Sequence, residues 1–109
     1  MSYEYRLVFV DSTSAQHVMD VLKASAACSK AQGPEVCLKD RDLKTLADYD
    51  VRLTKEDEKS LWLEVNFRSS DLYRLLQEAL SGRPVRCFED GDQDDEVTLQ
   101  EALRIKGND

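Results

Sequence analysis

"DYDVRLTKEDEKSLWLEVNF", residues 48–67, contains two runs in which polar and apolar residues alternate around a polar turn. In the first run Tyr49, Val51 and Leu53 share one side, and Asp50, Arg52 and Thr54 the other. In the second, Leu61, Leu63, Val65 and Phe67 share a side opposite Trp62, Glu64 and Asn66. Side chains alternate across a strand, so a period of two marks a strand buried on one face. "KEDEK" is a polar turn between the two runs. The stretch therefore predicts an antiparallel hairpin with one face on a core and the other open.

Upstream, "YEYRLVFV" (3–10) places Tyr3, Tyr5, Leu7 and Phe9 on one face and Val8 and Val10 on the other, as in a central strand. "STSAQHVMDVLKASAACSK" follows. Thr13 and Gln16 have capping-box spacing, and Ala15, Val18, Met19, Leu22 and Ala26 recur at helical spacing, which predicts a helix over 14–29. Gly33-Pro34 breaks it. Residues 31–48 admit a short strand at "EVCL" and a helical turn at "RDLKTLAD", with Leu43 and Leu46 turned inward.

Downstream, "SSDLYRLLQEALSGRP" is capped by Ser69 or Ser70 and striped by Leu72, Leu75, Leu76 and Ala79. Gly82 suits the residue after a helix end, and Pro84 prevents continuation. "PVRCF" is a last strand, and "TLQEALRIKG" a short closing helix ending at Gly107. The expected fold is α+β, a single domain over 1–109. Its core is a ferredoxin-like βαββαβ antiparallel sheet, with both long helices on one face and an extra C-terminal helix.

The charge is unevenly placed. The net charge is −7, and residues 89–101 hold seven acids and no base, leaving 15 of the 22 acids to balance 15 bases elsewhere. Nucleic acid is excluded as a partner class, because phosphate binding needs clustered Lys and Arg. A basic protein surface is the electrostatic match. Three cysteines, Cys28, Cys37 and Cys87, form no CxxC and cannot all pair, which points to reduced cytoplasmic thiols. The opening "MSYEYRLVFVD" carries acids and lacks the basic start of a signal peptide. No run approaches the roughly 20 apolar residues of a membrane span.

Within the acidic tract, "DGDQDDEVTLQE" (90–101) has Asp90, Asp92 and Asp94 in alternation and Glu101 at the twelfth place, the ligand spacing of a calcium loop. Position six, where such a loop turns on glycine, is Asp95, and the incoming segment reads as a strand instead of a helix. Thr98 and Glu101 also make a capping box for the closing helix, with Val97 and Ala102 at staple positions. The expectation is no metal and no cofactor. Glu89, Asp90, Asp92, Asp94, Asp95 and Glu96 are then candidates for a partner-binding surface, against the alternative of a solvated loop. Trp62, on the open side of the hairpin, is either an interface anchor or packed under 31–48 or the closing helix.

Catalytic prospects are poor. His17 is the only histidine, no Cys/His pair has zinc spacing, and no glycine-rich phosphate loop occurs. Ser12, Thr13 and Ser14 suit helix caps better than nucleophiles.

In size, charge, opening strand "MSYEYRLVFV" and tract "CFEDGDQDDE", the chain resembles the immunity proteins of bacterial toxin–immunity pairs. The resemblance implies a non-catalytic cytoplasmic protein that neutralises a cognate toxin with a basic surface by occluding its active site. It leaves open whether the protein acts as a monomer or a homodimer. The alternatives are a ferredoxin-like regulatory module binding a small molecule, and a calcium-loop protein.

Overall fold

The computed structural model describes residues 2–105. The chain is α+β. Strands β1 (Tyr3–Phe9), β2 (Cys28–Gln32), β3 (Glu35–Leu38), β4 (Val51–Lys55), β5 (Ser60–Val65), β6 (Val85–Glu89) and β7 (Glu96–Val97) form one sheet in the order β2-β3-β4-β5-β1-β6-β7. Every neighbouring pair is antiparallel. The helices are α1 (Ser12–Ala24), α2 (Ser70–Leu80) and α3 (Leu99–Ala102). No helix among the described residues is long and apolar enough to cross a membrane.

The hairpin of 51–65 forms as its alternation predicts. Val51, Leu53, Leu61, Leu63 and Val65 enter the core beside Tyr5, Leu7 and Phe9 of β1. The helices cover this face with Ala15, Val18, Met19 and Leu22 from α1 and Leu72, Leu76, Ala79 and Leu80 from α2. Burying a Leu or Phe side chain contributes about 1.5–3 kcal/mol, so this apolar layer drives the fold.

Among the described residues the sheet has seven strands where the expected ferredoxin-like βαββαβ core has four, so strand count and order differ from that expectation. The extra strands come from segments without a buried alternation. The helix predicted over 14–29 starts earlier and stops at Ala24. Asp11, not Thr13, caps it by accepting from the Ser14 amide at 2.7 Å, and Ser25 caps its end. Ala26 is exposed in the following turn, and Cys28–Gln32 turns back as edge strand β2. Gly33, at φ +57°, and Pro34 connect β2 to β3 in a two-residue turn, a left-handed position suited to glycine. "EVCL" is a strand, as read.

Four further expectations fail nearby. Residues 41–48 form turns and bends, not a helical turn, and Leu43 and Leu46 are exposed. Asp50, expected outside, is buried at 0% exposure. Tyr49 lies against Arg52, whose guanidinium is 4.7 Å from its ring centroid, on the face opposite the core. Phe67 lies beyond the end of β5 and is exposed.

Helix α2 is capped by Ser69, which accepts from the Leu72 amide at 3.0 Å, and Gly82 follows its end at φ +76°. At α3 the Thr98–Glu101 capping box is complete in both directions. That helix closes at Ala102, and Gly107, its expected end, lies outside the described residues.

Candidate partner-binding loop

The acidic tract is the turn of the β6–β7 hairpin. Cys87 pairs with Val97 and Phe88 with Glu96 across it. Asp90 and Gly91 adopt left-handed φ values of +54° and +74° in succession, which reverses the chain sharply. Asp tolerates this region better than most residues and Gly does so freely. The loop is braced by its own backbone. The Asp92 amide donates to the Glu89 carbonyl, the Asp95 amide to Asp92 and the Glu89 amide to Asp95, each at 2.9 Å. The Asp92 carboxylate accepts from the Asp94 amide at 2.9 Å, and the Asp90 amide donates to the Glu4 carbonyl at 2.8 Å. The last bond ties the loop to β1.

The six candidate acids of the tract, Glu89, Asp90, Asp92, Asp94, Asp95 and Glu96, are exposed. Glu96 alone is neutralised: it accepts two bonds from Arg86, the shorter 2.8 Å, and this pairing holds its carboxyl below the usual value. Among the described residues the other five form no ion pair.

Trp62 stands on the open face of the sheet, half-buried, with Glu64 and Asn66 following on the same side. Its indole N–H donates to Glu4 Oε1 at 2.8 Å, and the Arg6 guanidinium lies 5.5 Å from its ring centroid. It packs neither under 31–48 nor under α3; Gly91 of the acidic loop rests on it. A methyl group at position 91 would lie 3.2 Å from the Trp62 ring and 3.3 Å from Arg6, tighter than ordinary contact, so a side chain there is disfavoured by crowding as well as by φ. The structure thus brings Trp62 and the acidic loop together, with Trp62 as the platform beneath the turn.

The remainder of the open face is self-paired. Arg52 donates to Glu64 at 2.7 Å and lies 3.5 Å from Glu35, and these carboxylates raise its pKa. Arg6 pairs with Glu56 at 2.8 Å. Cys37 lies on this face with its thiol 3.6 Å from Glu35 Oε1; burial first, and then that carboxylate, push its pKa up. Cys87, beneath the loop on the core side, is pushed up to about 12 by burial. Cys28, Cys37 and Cys87 are all free thiols.

The calcium spacing does not translate into calcium-loop geometry. Strands β6 and β7 flank the turn where helices would be needed, and Glu101 is held in the α3 cap. Among the described residues, the one grouping of three carboxylates close enough to share an ion is elsewhere: Asp40, Asp42 and Asp71, beside the start of α2.

Sequence reasoning missed a second polar constellation, in the 39–50 loop. Buried Asp50 accepts from the Asp40 amide at 2.8 Å and from the Thr45 hydroxyl at 2.6 Å, with Lys39 Nζ at 3.9 Å. Lys39 also donates to the Thr45 and Ala47 carbonyls at 3.1 and 2.8 Å. Asp40 in turn accepts from Ser69, the cap of α2, at 2.6 Å. No single residue type or spacing announces this network. Comparison of the chain with protein-family models, with curated proteins and with solved structures returns no match in any of the three.

Proposed function

We propose that this chain is a binding protein and not an enzyme, acting as an immunity protein. It docks on a basic surface of a cognate bacterial toxin in the cytoplasm through Glu89, Asp90, Asp92, Asp94, Asp95 and Glu96, and so occludes the toxin's active site. The observation that supports this is the state of the loop's charges. Glu35, Glu56 and Glu64 on the sheet face are paired with arginines, whereas five carboxylates of the β6–β7 turn project into solvent without a cation among the described residues. Clustering like charges on one turn is unfavourable unless a counter-charge arrives, and a basic partner supplies it. The braced backbone presents the acids in one arrangement, which reduces the ordering cost of association. Trp62 contributes from below, by holding the turn in place.

The test first reads the neighbouring reading frame for a toxin-like C-terminal domain and then uses that domain, purified, as the partner. Replacing Asp90, Asp92, Asp94 and Asp95 together by Asn keeps the shape and removes four charges. The association rate is expected to fall about tenfold or more at low salt, the range of steered encounters. The difference should shrink as salt rises, since the screening length is about 8 Å at physiological ionic strength. Trp62→Ala is expected to speed dissociation instead. An unchanged association rate across the salt series refutes the reading.

A further inference from the structure

Among the described residues, the large hydrophobic side chains left exposed are not scattered. They are Tyr3, Val10, Leu43, Leu46 and Phe67, and four of the five lie at one end of the sheet. The strand register establishes this. Leu38, where β3 ends, pairs with Val51; Val51 pairs with Val65, where β5 ends; Val65 pairs with Tyr3; and Tyr5 pairs with Glu89, where β6 ends. The 39–50 loop, Phe67, Tyr3 and the acidic turn therefore all leave the sheet at the same end. Val10 leaves at the opposite end.

Backbone hydrogen bonds tie these pieces together in two groups. The Asn66 and Phe67 amides donate to the Asp50 carbonyl at 2.8 and 3.3 Å, and the Asp90 amide donates to the Glu4 carbonyl at 2.8 Å. Between them opens a cleft of about 610 Å³, lined in part by Tyr3, Tyr5, Phe67, Arg68, Glu89 and Arg104. The Arg104 guanidinium sits 4.0 Å from the Tyr3 ring centroid. Leu46 is 102% exposed, yet its loop is anchored internally by Lys39 and buried Asp50. It is a fully solvated leucine on a braced support.

Resting on the reading of the acidic loop above, we infer that the whole sheet end is the docking surface, with two unlike halves. The acidic turn meets basic residues of the partner. Tyr3, Phe67, Leu43 and Leu46 meet an apolar patch beside them. At about 4.8 Å per strand the two loops stand roughly 20 Å apart, within the reach of one interface of about 800 Å² per partner. Interfaces place aromatic and apolar anchors at the centre and charge at the rim, and the two halves here divide those tasks. The occupant is a protein surface that is basic at one side and apolar at the other. Arg68 and Arg104, between the halves, disfavour a partner that is basic throughout.

The experiment compares two synthetic probes of equal length and charge. One is a lysine–glycine peptide. In the other, leucines and a tryptophan replace the glycines, leaving lysines at one end and apolar residues at the other. Affinities are measured for the native protein, for Leu46→Ala, for Phe67→Ala and for the four-fold Asn variant. Leu46 is fully exposed, so its variant reports on binding with the fold retained. The expected result is that the mixed peptide binds about tenfold or more tightly than the lysine–glycine peptide. Leu46→Ala and Phe67→Ala should each weaken the mixed peptide severalfold and leave the lysine–glycine peptide unchanged. Equal affinities for the two peptides, unaffected by Leu46→Ala and Phe67→Ala, overturn the apolar half while leaving the acidic loop's role standing. Unaltered binding of both peptides by the four-fold Asn variant overturns the acidic half and, with it, the reading on which this inference rests.

Discussion

Two loops at the same end of the sheet, 39–50 and 90–95, are both rich in aspartate and treat it in opposite ways. In the first, Asp50 is withdrawn completely from water and surrounded by the Asp40 amide, the Thr45 hydroxyl and Lys39. In the second, Asp90, Asp92, Asp94 and Asp95 remain in water. The difference lies in the donors available. Lys39 and Thr45 lie within one loop of Asp50, and a buried carboxylate is tolerated only when such partners satisfy it. The β6–β7 turn offers one amide, that of Asp94, to the Asp92 side chain, and no cation of its own to the four aspartates. One loop is therefore held from the inside by its acid, while the other is held by its backbone and leaves its acids to act outward.

Three variants probe this contrast. Asp50→Ala should have the largest effect. It strands the Lys39 ammonium, the Thr45 hydroxyl and the Asp40 amide, and removing one partner from a buried charged network typically costs about 3–5 kcal/mol. Chemical denaturation should show it, and a loss under about 1 kcal/mol would mean that the 39–50 loop is not organised around this residue. Gly91→Ala comes next. A left-handed φ at a non-glycine residue, together with a Cβ pressed on Trp62, should cost about 1–3 kcal/mol. Thermal unfolding of this variant with the native midpoint would show that the turn lifts off Trp62 without penalty. The smallest effect belongs to the four-fold Asn variant, for which the change in stability should stay within about 0.5 kcal/mol per exposed site and be neutral or favourable in sign, because repulsion is relieved. A marked destabilisation would show that these acids carry structural contacts and blur the contrast between the loops.

The elements that alternate or repeat were readable in the sequence, because their pattern is the imprint of the core. The strands β1, β4, β5 and β6, at the centre of the sheet, each place residues in the core, and α2 carries a clean stripe with a serine cap. The sheet's margins were not readable. "CSKAQ" in β2 is exposed along nearly its whole length, so no burial pattern marks it, and the alanines before it imitate a helical stripe. β7 is two residues of an acidic tract paired through the backbone. Asp50 was placed outside because the alternation of "DYDVRLT" was carried one residue too far; the strand begins at Val51. For the site, the acidity of 89–96 and the unusual position of Trp62 were visible in the sequence. Their juxtaposition was not, since it depends on Arg6 and Trp62 pairing across β1 and β5 while Gly91 folds over them from the far side.

The contact between Gly91 and Trp62 has a spectroscopic consequence. Trp62 is the single tryptophan of the chain, and it sits directly beneath the turn that carries the acids. Its indole is half-shielded, hydrogen-bonded to one carboxylate and flanked by one guanidinium. Its emission therefore originates wholly from the floor of the candidate binding loop. Any event that lifts, tightens or covers that turn alters the polarity around one fluorophore, so the protein carries an intrinsic optical gauge of its own loop, readable without a label.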